Sequence, residues 1–197
     1  MIEQNLYIIA GCNGAGKTTA SFTVLPEMLN CREFVNADEI AKGLSPFQPE
    51  KVALAAGRIM LVRIKELLTE GVSFAFETTL STKSYRHLIA SAQQQGYTVT
   101  LLFFWLQQVE LAKERVKIRV IEGGHNIPEN VIERRYSSGI CNLFDIYLPI
   151  VDQAYVFDNS AGEHLLVAEK KLGEVPSINN QPIFDLLKSA YDSASNK

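Results

Sequence analysis

Eight residues constrain this chain more than any others. Gly11-Cys12-Asn13-Gly14-Ala15-Gly16-Lys17-Thr18 satisfies the spacing G-x-x-x-x-G-K-[ST] in full. Glycines let a backbone turn tightly so that successive N–H groups point inward as an anion nest, and a following helix adds the positive end of its dipole. The context is right for such a nest: the apolar run Leu6–Ala10 reads as a strand before it, and Lys17–Leu29 as a helix after it. Lys17 is expected to reach the β- and γ-phosphates of a triphosphate, and the Thr18 hydroxyl to bind Mg²⁺. The nest itself comprises Gly11, Asn13, Gly14, Ala15, Gly16 and Thr19 around those two.

The rest of the chain alternates short apolar runs with helical periodicity. Glu33–Asn36, Ser73–Phe76, Thr98–Leu106 and Gln153–Phe157 read as further strands. Between them lie a helix after Pro49 that stops at Gly71, a polar helix over Lys83–Gln95, and two helices at Val109–Glu122 and Pro128–Pro149. Five strands alternating with helices predict an α/β fold: a mainly parallel five-stranded sheet flanked by helices, with a helical lid. At 197 residues one domain is expected, with a core over about 6–160 and a strand and helix appended over about 162–192.

Composition narrows the class further. With 47% apolar and 21% charged residues the chain can bury a core, which excludes disordered and fibrous readings. A formal charge of −3 without basic clusters gives no nucleic-acid footprint. The longest apolar run, Leu101–Leu106, is far short of the roughly 20 residues that span a membrane. Three scattered cysteines suggest neither a disulfide framework nor a zinc site, and a cytoplasmic location fits. Cys12, inside the nest, is either a reactive thiol or a small residue that merely fits.

A phosphate loop alone leaves GTPase, motor, ATPase and kinase open. No Asn-Lys-x-Asp guanine signature occurs, and no strand ends in the Asp-Glu or Asp-Asp pair of a motor ATPase. Asp38 and Glu77 each stand at a strand's carboxyl end, where ligands bind in open parallel sheets. One acid is placed to take a proton from an acceptor hydroxyl while the other holds Mg²⁺ or the acceptor. The competing reading of Asp38 is a helix cap. Arg115 and Arg119 share a helix face, whereas Arg134 and Arg135 lie about 100° apart, so one of that pair faces a given site. Such arginines stabilise charge on a phosphoryl group in a closing lid, unless the interleaved Glu114, Glu122, Glu129 and Glu133 simply pair with them. His125, in the Gly-Gly-His loop between the two helices, reads as a cap or hinge contact.

In order along the chain, GCNGAGKTT (11–19), FVNADE (34–39), FETTL (76–80), GGHNIP (123–128), RRY (134–136) and DNS (158–160) resemble the zeta toxin family of phosphate-loop kinases. The resemblance implies transfer of a phosphoryl group from ATP or GTP to the 3′-hydroxyl of UDP-N-acetylglucosamine, and restraint by a partner antitoxin. It implies Lys17 and Thr18 on phosphate and Mg²⁺, and Asp38 as the base. Glu77 with Thr79 would bind the sugar nucleotide. Arg119 and one of Arg134 or Arg135 would be lid arginines, with Arg135 assigned to catalysis and Arg134 to the acceptor. Asn159 would lie near the donor's base. Position 12 is Cys where the family commonly has Pro, and the chain lacks the long C-terminal extension of the larger toxins. A kinase of another sugar, nucleoside or metabolite, or a nucleotide-dependent switch, stays open.

Overall fold

The computed structural model describes residues 4–124 and 126–196, so His125 lies outside the described residues. Seven strands form one sheet among them: β1 (Asn5–Gly11), β2 (Glu33–Val35), β3 (Phe74–Thr78), β4 (Thr98–Trp105), β5 (Gln153–Asp158), β6 (Leu165–Lys170) and β7 (Ser177–Ile178). Their order is β2-β3-β1-β4-β5-β6-β7. The first five pair in parallel. β6 and β7 then add antiparallel strands beyond β5, so the sheet has seven strands where five were expected. Antiparallel neighbours need only short links, and the chain uses this to widen the sheet without further crossover helices.

Covering on both faces explains the continuous apolar strands. Leu6, Ile8 and Ala10 of β1 enter one core with Phe74, Phe76, Leu101 and Phe103. Tyr7 and Ile9 enter the other with Ala75, Leu102 and Phe104. β1 has β3 on one side and β4 on the other, so crossovers leave it in both directions and a crevice opens at its carboxyl end. The phosphate loop sits there.

Among the described residues eight α-helices accompany the sheet: α1 (Lys17–Thr23), α2 (Ala37–Leu44), α3 (Ala53–Glu70), α4 (Tyr85–Gln94), α5 (Val109–Ile121), α6 (Glu129–Asn142), the single turn α7 (Leu148–Ile150) and α8 (Gln181–Ser195). The helix expected to run to Leu29 changes pitch at Val24–Met28, where Leu29 N–H donates to Val24 O five residues back. Pro26, with no N–H to give, lies in that stretch. α6 is continued by a similar wide turn, Leu143–Tyr147, before α7. α3 stops where Gly71 takes a left-handed conformation, its N–H bonded to Leu67 and Leu68 carbonyls.

α5 and α6 form the expected helical pair. Lys113 holds Glu129 and Glu133, and Lys117 holds Glu129. Lysines therefore take Glu129 and Glu133, two of the four acids named as alternative partners for the arginines. Tyr136 fixes α6 to the sheet, its hydroxyl donating to Leu106 O at 2.7 Å and accepting from Trp105 Nε1 at 3.2 Å. Among the described residues no helix is long and apolar enough to cross a membrane.

Candidate active site

The phosphate loop tolerates side chains badly at each of its three glycines, Gly14 (φ 79°) included, where a Cβ would come within 2.8 Å of Ala112 O. A Cβ on Gly11 (φ 141°) would come within 2.2 Å of Phe104 O, and one on Gly16 (φ 82°) within 2.4 Å of Asn159 Nδ2. Backbone and its support are thus packed as one body, with the N–H groups of α1's first turn facing the crevice.

Lys17 is buried, its Nζ donating to Cys12 O at 3.0 Å and lying 3.4 Å from Glu77 Oε1. The Thr18 hydroxyl donates to Glu77 Oε2 at 2.7 Å. Asn36 Nδ2 donates to the same oxygen at 2.9 Å, while Asn36 Oδ1 accepts from the Asp38 and Glu39 N–H groups at 2.8 and 3.4 Å. Asn36, not Asp38, caps the helix that carries Asp38, so the competing reading of Asp38 as the cap falls and the helix does not need its carboxylate. Glu77 lines a cleft with Thr79, and its carboxylate also accepts from Thr18 and lies beside Lys17.

Asp38 lines a cleft of about 220 Å³ together with Asn13, Lys17, Glu77, Thr79 and Arg135. α6 sets one wall: Asn142 Nδ2 donates to Leu80 O at 2.8 Å, and Gly139 lies so close to Thr79 O that a Cβ there would approach to 2.8 Å. The Thr79 hydroxyl shares a hydrogen bond with Ser81 at 2.9 Å. Arg135 Nη1 donates to Asn13 Oδ1 at 3.1 Å. Burial pushes the Arg135 guanidinium's pKa down, Asp38 opposes that shift, and the Arg134 charge adds to it. Arg134 is exposed and does not line the cleft, a correction to its expected contact with the acceptor. One helical step separates the two, and α6's packing settles which turns inward.

The other arginines divide as well. Arg119 keeps its Nε and Nη2 buried without a hydrogen-bond partner, an arrangement costly for a cation unless an anion arrives. It does not line the Asp38 cleft. Arg115 donates to Asn159 O at 2.9 Å, Ser160 O at 3.0 Å and Gly14 O at 3.5 Å. It is a staple between the phosphate loop and the loop after β5. Asn159 completes that staple, its Nδ2 donating to Ala15 O at 2.8 Å. The buried Asn159 side chain thus bonds the loop backbone through Nδ2, while its Oδ1 has no hydrogen-bond partner. Asp158 holds the turn, accepting from Gln107 Nε2 at 2.7 Å and Ser160 N–H at 2.9 Å. Thr19 is exposed.

Cys12 is buried, and burial pushes its thiol up to about 11 against the opposing charges of Lys17 and Arg115. The reactive reading of this thiol is overturned: near neutral pH it is protonated. Sequence reasoning missed Asn36, and it placed Arg115 among the lid arginines rather than as a staple. An Asn directly before an acidic helix start was the available signal for the first; nothing local marked the carbonyl partners of the second.

Thr18 and Glu77 supply a hydroxyl and a carboxylate at one point of the nest. No group of three or more acid, His or Cys ligands occurs among the described residues. Few hard oxygens from the protein, with room for phosphate and water oxygens, is the donor set Mg²⁺ takes.

A nest for a triphosphate that faces an acid and an arginine across a small cleft defines a nucleotide-dependent phosphotransferase of the phosphate-loop class. The zeta toxin family model matches residues 3–143, and the chain belongs to that family. An uncharacterized protein of Haemophilus influenzae is 28% identical over 144 residues, covering 69% of this chain and all of that one. Among solved structures the chain is similar to the AvrRxo1-ORF1:AvrRxo1-ORF2 complex with sulphate ions (TM-score 0.78, 18% identity, 95% of this chain), of which it spans 64% of the matched chain. It also resembles the PezAT toxin-antitoxin system of Streptococcus pneumoniae (TM-score 0.64, 15% identity, 100% of this chain and 89% of that one). A putative kinase of Chloroflexus aurantiacus is similar at TM-score 0.63 and 17% identity, over 95% of this chain and 98% of that one.

Proposed function

We propose that this protein transfers the γ-phosphoryl group of ATP or GTP, with Mg²⁺, to a hydroxyl of a UDP-activated amino sugar, the 3′-hydroxyl of UDP-N-acetylglucosamine being favoured. The observation that carries the reading is the shared cleft: Asp38 and Arg135 line the same space as Lys17 and Glu77, and Asn36 rather than Asp38 caps the helix. A hydrolytic switch places water and has no use for a second acid aimed at an acceptor.

Asp38 takes the proton from the acceptor hydroxyl as the hydroxyl oxygen bonds to the γ-phosphorus and the bond to the β-phosphate's bridging oxygen breaks. Lys17 and the nest N–H groups hold the β- and γ-phosphates. Arg135, with Arg119 from the other lid helix, meets charge developing on the transferred group. Thr18 and Glu77 would hold Mg²⁺, which neutralises phosphate charge when bound. A partner protein of antitoxin type is part of the proposal, supported by the PezAT likeness.

Incubation with Mg-ATP or Mg-GTP and a panel of UDP-sugars, nucleosides and free sugars, read by mass spectrometry, tests the reading. A phosphorylated UDP-amino sugar is expected. Phosphorylation of a different acceptor alone would reassign the substrate, and hydrolysis alone would favour the switch.

A further inference from the structure

Leu80 is held in a backbone conformation that a leucine avoids. Its φ is 60°, in the left-handed region where a Cβ crowds a neighbouring carbonyl and where glycine would sit without that penalty. Leucine stands here because its side chain is fully buried, in the same core as Phe76, Ile89, Ile140 and Leu143. A strained residue of this kind persists only where its surroundings over-determine it, and such residues gather at functional sites. Leu80 directly follows Thr78 and Thr79, which line the Asp38 cleft.

One face of α6 and the wide turn after it hold this segment. Asn142 Nδ2 donates to Leu80 O at 2.8 Å with both groups buried, and Gly139 sits against Thr79 O. Tyr147, in the wide turn that continues α6, donates its hydroxyl to Thr82 O. Within the segment, Leu80 N–H donates to Thr78 Oγ1 at 3.1 Å. Packing alone gives no reason for an amide at position 142, since burying one costs free energy that only its hydrogen bonds offset. Arg135, Gly139 and Asn142 are four and then three residues apart, so they share a helix face over about 10 Å of axis. One end of that face meets the phosphate loop through Asn13, and the other meets the turn at Leu80.

We propose that Asn142 is a positioning residue for the acceptor. By holding the Leu80 carbonyl it keeps the turn in its left-handed conformation, and that conformation sets Thr79 on the wall of the Asp38 cleft. Because Arg135 stands on the same helix face, α6 fixes at one spacing the wall that meets the acceptor and the guanidinium that meets the transferred group. The inference rests on the phosphotransfer reading proposed above, and it depends on no particular acceptor.

Two substitutions on α6 disturb the turn in different ways. Asn142→Leu is close in size and removes the donor to Leu80 O. Gly139→Ala adds a Cβ that would lie 2.8 Å from Thr79 O, so the turn must shift, while alanine favours the helix and keeps the fold. With UDP-N-acetylglucosamine as acceptor and Mg-ATP as donor, each should raise the acceptor KM about tenfold, roughly the worth of one hydrogen bond, and leave the donor KM within about twofold of wild type. A merely structural role would reduce the amount of active enzyme, so kcat would fall with both KM values unchanged, and that result overturns the inference. A folded Gly139→Ala enzyme with wild-type constants overturns it too, as does an equal rise in both KM values. If the wild type phosphorylates a different acceptor of the panel, the UDP-sugar reading alone fails, and the same constants on that acceptor decide the role of Asn142. If it phosphorylates none, the phosphotransfer reading falls and the inference falls with it.

Discussion

Asn36 is the most informative residue to perturb, because one buried amide serves both halves of the site. Its Oδ1 caps α2, and its Nδ2 donates at 2.9 Å to Glu77 Oε2, the oxygen that also receives the Thr18 hydroxyl. Asn36→Ala removes the cap, worth about 0.5–2 kcal/mol, and a hydrogen bond to a carboxylate, worth about 1.5–3 kcal/mol. The loss is therefore about 2–5 kcal/mol, which in a chain of this size lowers Tm by about 4–20 °C. Asn36→Ser keeps a capping oxygen but loses the reach to Glu77, so it should recover the cap's share alone, about 0.5–2 kcal/mol. Both variants should lose phosphoryl transfer, since Glu77 and the Asp38 helix each lean on that amide. Urea unfolding and a transfer assay on the two variants measure this directly. An Asn36→Ala protein within about 0.5 kcal/mol of wild type, or a Ser variant no more stable than Ala, would refute the double role.

Further outcomes follow from the same geometry. Lys17→Ala should reduce turnover at least about a hundredfold, because a cation aimed at the transferring group is lost from a water-excluded site; normal turnover would sink the phosphate-loop assignment. Arg135→Ala and Arg119→Ala should lower kcat more than they raise the donor KM, whereas the outward-facing Arg134→Ala should change either by less than about twofold, and steady-state kinetics separate the three. Cys12 should resist alkylation at pH 8, with or without nucleotide, since its thiol ionises only toward about 11. Its raised folded pKa contributes stability below about pH 9 that is lost as pH rises from 9 to 11, and unfolding curves across that range should show the decline.

Much of this architecture is legible in the sequence, for physical reasons. The phosphate loop depends on backbone conformations that only particular residues adopt, so its signature is local. Strands buried on both faces leave near-continuous apolar runs such as Thr98–Leu106. The two antiparallel strands after β5 were harder to read, because β7 spans only Ser177–Ile178 and carries no periodicity. Pairings across the chain were illegible for a different reason. Arg115 meets carbonyls 101, 44 and 45 residues away, and Glu77 meets Thr18 across 59. Spacing within α5 showed that Arg115 and Arg119 share a face, but not that one would staple the loop while the other stayed unpaired. The same limit applied to Asp38, where an N-cap preference competed with Asn36 two residues earlier and only the backbone geometry separated them.

The central claim is that Asp38 serves as the base toward an acceptor hydroxyl, and Asp38→Asn tests it most directly. The substitution is nearly isosteric, the Asn36 cap is untouched, and the lost helix-dipole contact costs only about 0.3–1 kcal/mol. With donor affinity and transfer to UDP-N-acetylglucosamine measured side by side, Mg-ATP binding should persist while transfer falls by about 10²–10⁴-fold. Transfer at the wild-type rate with binding intact would contradict the account.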